Sequence, residues 1–94
     1  MPDSVELSIV IPAYHSGDVI GTTVEEIISC VDPWCPEYEI IIVNDGSRDD
    51  TYDVIRELAR NSPRIRAVNL AKNFGQHNAS LAGLSEAAGE RIVI

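Results

Sequence analysis

The sequence predicts an α/β fold with a mainly parallel sheet, in the order β-α-β-α-β-α-β. Three observations predict it. Short apolar, β-branched runs without polar alternation suit strands covered on both faces. Between them lie stretches with apolar residues at helical spacing. The connections are too long for hairpins, so the strands are joined by crossovers, which run right-handed in parallel sheets. The 94 residues, 45% hydrophobic and 5% aromatic, suffice for one small domain or part of one, and no repeat or low-complexity linker divides them.

Leu7-Ser8-Ile9-Val10-Ile11, ended by Pro12, is the first strand. Ser16 or Asp18 can cap the helix that follows, whose stripe is Val19, Ile20, Val24, Ile27, Ile28 and Val31, stopped at Asp32-Pro33. Glu39-Ile40-Ile41-Ile42-Val43 is the second strand. Ser47, with the acids Asp49 and Asp50, opens a helix that turns Val54, Ile55, Leu58 and Ala59 inward. Asp45-Gly46 is a hairpin signal, but helical periodicity follows it, which excludes a hairpin. Residues 65 to 70 form a third strand, more polar than the others and therefore nearer a sheet edge. A small-residue helix through Ala79, Leu81, Ala82, Leu84, Ala87 and Ala88 ends at Gly89, and Arg91-Ile92-Val93-Ile94 begins a fourth strand.

The net charge of −8 argues against tracking a nucleic-acid backbone, which rests on a basic face. The charge is uneven: residues 1–53 hold 12 acids and one base, residues 54–94 hold 3 acids and 6 bases, so the second half meets an anion more easily. No run approaches the ~18 apolar residues of a membrane span, and the start lacks a basic region followed by an apolar core. The chain therefore reads as cytosolic and unprocessed. Cys30 and Cys35 form neither a Cys-x-x-Cys pair nor a disulfide framework, and read as two free thiols near a helix end.

In an open α/β sheet, ligands sit at the carboxyl ends of the strands, which places the informative residues directly after each strand. After the first, Pro12 turns the chain outward, and Tyr14 either stacks on a nucleobase or packs half-buried with its hydroxyl in water. After the second, Asp45 offers a carboxylate to a base N–H or a ribose hydroxyl, Gly46 permits a tight turn and Ser47 caps the helix; a capped turn without ligand is the alternative. Asp49 and Asp50 complement the helix dipole rather than bind metal. After the third, Lys72 and the helix start at Gly75-Gln76-His77 are attractive to a phosphate. That run has neither the P-loop nor the dinucleotide glycine spacing, which excludes ATPases and nicotinamide-dependent enzymes. His77 and Asn78 either face solvent or bring His77 into the chemistry. Asn78-Ala79-Ser80 matches a glycosylation pattern but stands in a cytosolic helix.

Taken together, Ser8-Ile9-Val10-Ile11-Pro12-Ala13-Tyr14, then the run from Glu39 through Asn44-Asp45-Gly46-Ser47 to Thr51, then Asn73-Phe74-Gly75-Gln76-His77-Asn78-Ala79 with Gly83 and Ala88-Gly89, resemble the start of a family 2 glycosyltransferase. The resemblance runs from Leu7 onward. The Asn-Phe-Gly-Gln-His run is most similar to members that glycosylate polyprenyl phosphates. What the resemblance implies is a Rossmann-like, GT-A-type nucleotide-binding half and inverting transfer of a sugar from a nucleotide diphosphate sugar, UDP- or GDP-linked, with a polyprenyl phosphate as the acceptor. It further implies that Pro12, Ala13 and Tyr14 line the nucleotide pocket, Val43 gives backbone contacts, Asp45 reads the base or ribose, and Lys72 and Asn73 lie near the nucleotide. The family commonly has Asn-Glu where this chain has His15-Ser16, and Asp where it has Asn44.

In that family the strand starting at Arg91 runs into an acidic Asp-x-Asp motif that holds Mg²⁺ or Mn²⁺ against the diphosphate, and this chain has no replacement carboxylate pair at that strand end. Residues 1–94 are therefore expected to be the N-terminal part of a single catalytic domain, cut at the start of its fourth strand. By itself this part is expected to be inactive and metal-free, while the whole enzyme uses Mg²⁺ or Mn²⁺, in the cytoplasm or at the inner face of the membrane. An uncovered last strand also predicts self-association of the piece. The competing readings are a stand-alone nucleotide-binding domain and a structural α/β module without catalysis.

Overall fold

A computed structural model describes residues 7–33, 37–47, 49–70, 75 and 91–93. Its elements run β1 (Leu7–Ala13), α1 (Ile20–Val31), β2 (Tyr38–Asp45), α2 (Thr51–Asn61), β3 (Ile65–Leu70) and β4 (Arg91–Val93). The strands form one sheet in the order β3-β2-β1-β4, with every pairing parallel. The α/β class and the parallel sheet expected from the apolar runs are therefore present, and β3, the most polar strand, lies at an edge. The expected third helix and its Gly89 cap fall outside the described residues.

Side chains alternate across the sheet, so each apolar run supplies two faces. One face carries Leu7, Ile9 and Ala13 of β1, Tyr38, Ile40 and Ile42 of β2, and Ile65 of β3, packed with Ile20, Val24 and Val31 of α1 and Ile55 of α2. The apolar stripes of both helices thus lie on the same side, and Ile27, Ile28, Val54, Leu58 and Ala59 complete the cluster. The other face gathers Val10, Ile41 and Val43, with Val68 and Leu70 against them. At the amino end of that face Glu39 is wholly buried; Ser8 Oγ donates to it, and Arg66 bridges it at 3.4 Å. A carboxylate leaves water at this depth only with such partners.

Three local expectations change. β1 does not end at Pro12 but runs on to Ala13, in register with Val43 and Asn44 of β2, because the proline's fixed φ is compatible with an extended strand. Neither Ser16 nor Asp18 caps α1 through its side chain: the N-cap is Val19, more than half exposed, and the Ser16 carbonyl accepts the Val19 and Ile20 amides in the preceding turn. Ser47 does not cap α2, whose N-cap is Asp50 and whose first residue is Thr51. The Thr51 amide goes instead to Asp49 Oδ1 at 3.0 Å, so Asp49 serves the helix start as an acceptor. Cys30 is a free, exposed thiol on α1, and Cys35 lies outside the described residues. No helix among the described residues is long and apolar enough to cross a membrane.

Candidate functional site

The strand register aligns the carboxyl ends. Pro12 stands beside Val43 and Val43 beside Val68; one step on, Ala13, Asn44 and Asn69 form a row. The two loops that leave β1 and β2 are therefore neighbours from their first residue. Val43 is fully buried between its neighbours on β1 and β3, and Asp45 is buried at the strand's last position. Gly46 follows with φ 69°, a left-handed conformation that costs glycine nothing and lets the chain turn sharply away from Asp45.

The row of amides is a small network. Asn44 Nδ2 donates to Asn69 Oδ1 at 2.8 Å, and Asn44 Oδ1 accepts the Ser47 amide at 3.3 Å. Asn44 thus uses both ends of its amide, one to hold the edge strand and one to close the Gly46 turn, which a carboxylate at that position could not do as donor.

Tyr14 is exposed at 46% and lies ring on ring with His15, the centroids 3.9 Å apart and the planes 24° from parallel. His15 is the one non-glycine residue with positive φ, 49°, among those described. A side chain in that region carries strain and stays there only when its surroundings impose it. They do so through three successive amides: His15 N–H donates to Ser47 Oγ at 2.9 Å, and Ser16 and Gly17 N–H both donate to Thr51 Oγ1, at 3.0 and 3.1 Å. The Thr51 hydroxyl in turn donates to Asp49 Oδ1. The hydroxyl and amide of Thr51 hold the Asp49 carboxyl below its ordinary range, against an opposing effect of desolvation. Gly17 sits where a Cβ would stand 2.7 Å from Asp50 Oδ1 and 3.3 Å from Thr51 Cα, so the loop packs directly on the start of α2.

The fold and site geometry can be set against known proteins. The family model for glycosyl transferase family 2 matches residues 8–94. The chain belongs to this family. The uncharacterized glycosyltransferase YkcC of Bacillus subtilis (strain 168) is 34% identical over all of the chain and 29% of its own length. The undecaprenyl-phosphate 4-deoxy-4-formamido-L-arabinose transferase of Edwardsiella ictaluri (strain 93-146) is 36% identical over 93% of the chain and 27% of its own length. Among solved structures, a mannosyltransferase from Pyrobaculum calidifontis, in complex with GDP-Man and Mn²⁺, superposes with a TM-score of 0.81 at 22% identity, over 95% of this chain and 26% of that one. This likeness gives the GT-A, Rossmann-like fold. The chain spans under a third of the length of these curated relatives.

Within this family 2 chain, five of the expected nucleotide contacts, Pro12, Ala13, Tyr14, Val43 and Asp45, stand together at the carboxyl end of β1 and β2. The other two, Lys72 and Asn73, and with them His77, lie outside the described residues. Among the described residues no group of three His, Cys, Asp or Glu side chains is placed to hold a metal ion. Thr51 received no role from the sequence, although it is wholly buried and joins the two loops. A signal was present: a threonine at the start of a helix, two residues after an aspartate, is a common bonded pair. Its partners 34 and 35 residues away have no sequence signature.

Proposed function

We propose that these residues form the nucleotide-binding part of an inverting glycosyltransferase that takes a sugar from a nucleotide diphosphate sugar and passes it to a polyprenyl phosphate. The observation that carries this reading is the register that sets Pro12-Ala13 beside Val43-Asn44, with Tyr14 and Asp45 the next residue of each segment, at the carboxyl end of a parallel sheet in a family 2 chain. Tyr14 offers an exposed ring for a nucleobase; the family resemblance assigns Asp45 to a base N–H or ribose hydroxyl and Val43 to backbone contacts. Lys72 and Asn73 complete the set near the nucleotide. The acceptor class draws support from the Edwardsiella relative, whose name specifies undecaprenyl phosphate. A divalent cation on the diphosphate draws support from the Pyrobaculum structure with Mn²⁺. The described residues supply no ligand set for that ion, so none of their roles is routed through it.

The test is a calorimetric titration with UDP and with GDP, each with and without Mn²⁺. Binding of one nucleotide, weakened roughly tenfold by Tyr14→Ala through lost base stacking, is the expected result. Tyr14 is exposed, so its removal is expected to change folding stability by no more than about 0.5 kcal/mol. Failure of the folded protein to bind either nucleotide would sink the reading.

A further inference from the structure

We propose that Thr51 is a positioning residue for nucleotide binding: its hydroxyl fixes the loop that carries Tyr14 and His15. The proposal rests on the nucleotide-site reading and adds to it a residue that touches no ligand. A hydroxyl has one proton to donate and two lone pairs to accept with, and in Thr51 all three are used. It accepts the Ser16 and Gly17 amides and donates to Asp49 Oδ1. It is wholly buried, so water does not replace a lost partner.

These two amides directly follow His15, the residue held at φ 49°, whose own N–H is taken by Ser47 Oγ. The loop is thus tied to the segment after β2 at three consecutive residues, and the strained backbone at His15 sets where its ring lies. That ring is the surface on which Tyr14 stacks. A path of direct contacts therefore runs from Thr51 Oγ1 through the Ser16 and Gly17 amides and the His15 backbone to the Tyr14 face. Gly17 is part of the same device, since its missing Cβ is what allows the loop to approach Asp50 and Thr51.

Without the hydroxyl, the loop samples other conformations, and apparent affinity falls by the fraction of time the competent one is held. Thr51→Val keeps the shape and removes both the donor and the acceptor; Thr51→Ser restores them. The experiment titrates whichever of UDP or GDP the wild-type protein binds into both variants, at a temperature where each is folded by circular dichroism, alongside amide exchange of residues 15–17. Expected are roughly tenfold weaker binding and faster exchange at Ser16 and Gly17 in Thr51→Val, with Thr51→Ser within about twofold of wild type. In a Tyr14→Ala background Thr51→Val is expected to have little further effect on affinity, because the path ends at that ring.

Unchanged affinity in a Thr51→Val protein whose loop amides have been released overturns the proposal and leaves the nucleotide site standing. A wild-type protein that binds neither nucleotide removes the site itself, and that titration alone separates the two failures. Should Thr51→Val not fold, Thr51→Ala carries the test, since it too removes the hydroxyl, and unaltered affinity there would equally overturn the proposal.

Discussion

Asp49 shows how one surface carboxylate is made to matter by what it holds. Its Oδ1 accepts both the hydroxyl and the amide of Thr51, and these bonds, the hydroxyl's first, lower its pKa from the ordinary 3.8. A depressed carboxyl pKa means that the folded state prefers the charged form more than the unfolded chain does. The resulting stabilisation is fully present above the unfolded value and is lost as pH falls through the folded one. Melting temperature should therefore drop below about pH 4 in the wild type. Asp49→Asn keeps an oxygen to accept from Thr51 but cannot titrate, so its melting curve should be flatter through this range; equal slopes in the two proteins would show that the acid sensitivity arises elsewhere. Asn44 makes the same point without charge. Its amide ties β3 at one end and the Gly46 turn at the other, where the family commonly has an aspartate.

At the scale of the elements, β2 carries the sheet. It pairs with β1 on one side and β3 on the other, and every one of its residues is buried. Truncating Ile42, which faces both helices, should cost about 2–5 kcal/mol through lost transfer energy and a cavity. Val68→Ala, on the half-buried edge strand, should cost about 1 kcal/mol. Urea midpoints of the two variants check the ordering, and a smaller loss for Ile42→Ala would mean that the sheet centre lies elsewhere. This hierarchy is also why so much of the fold was legible. The runs around Ile9, Ile41 and Ala67 announce strands because a parallel sheet needs both faces apolar, and that requirement is local in sequence. The helix starts were misread for the opposite reason. Ser16, Asp18 and Ser47 all have capping chemistry, and only the fold decides that Ser47 Oγ takes His15 N–H while Ser16 offers its backbone. The strand ends that carry Pro12, Tyr14 and Asp45 were legible because they can be counted along the chain. Thr51 was not, because its role lies in contacts across more than thirty residues.

For the molecule as a whole, charge sets a condition on any anionic ligand. A net charge of −8 surrounds a body with a radius of gyration of 12.3 Å, and most of the acid lies in residues 1–53, which include both loops of the site. At about 10 mM salt the screening length is roughly 30 Å, so a nucleoside diphosphate feels repulsion from the entire protein as it approaches. At about 150 mM it is roughly 8 Å, shorter than the radius of gyration, and only the neighbouring groups count. Contacts made inside the pocket are screened far less than that long-range repulsion. Nucleotide affinity should therefore rise, by about two- to fivefold, between those two salt concentrations, the reverse of what a basic binding face gives. Titrating the same nucleotide at both ionic strengths checks the sign. Affinity that falls with salt would locate the dominant electrostatics in the basic second half, whose six cations include Lys72, and would make that half the side from which the diphosphate is held.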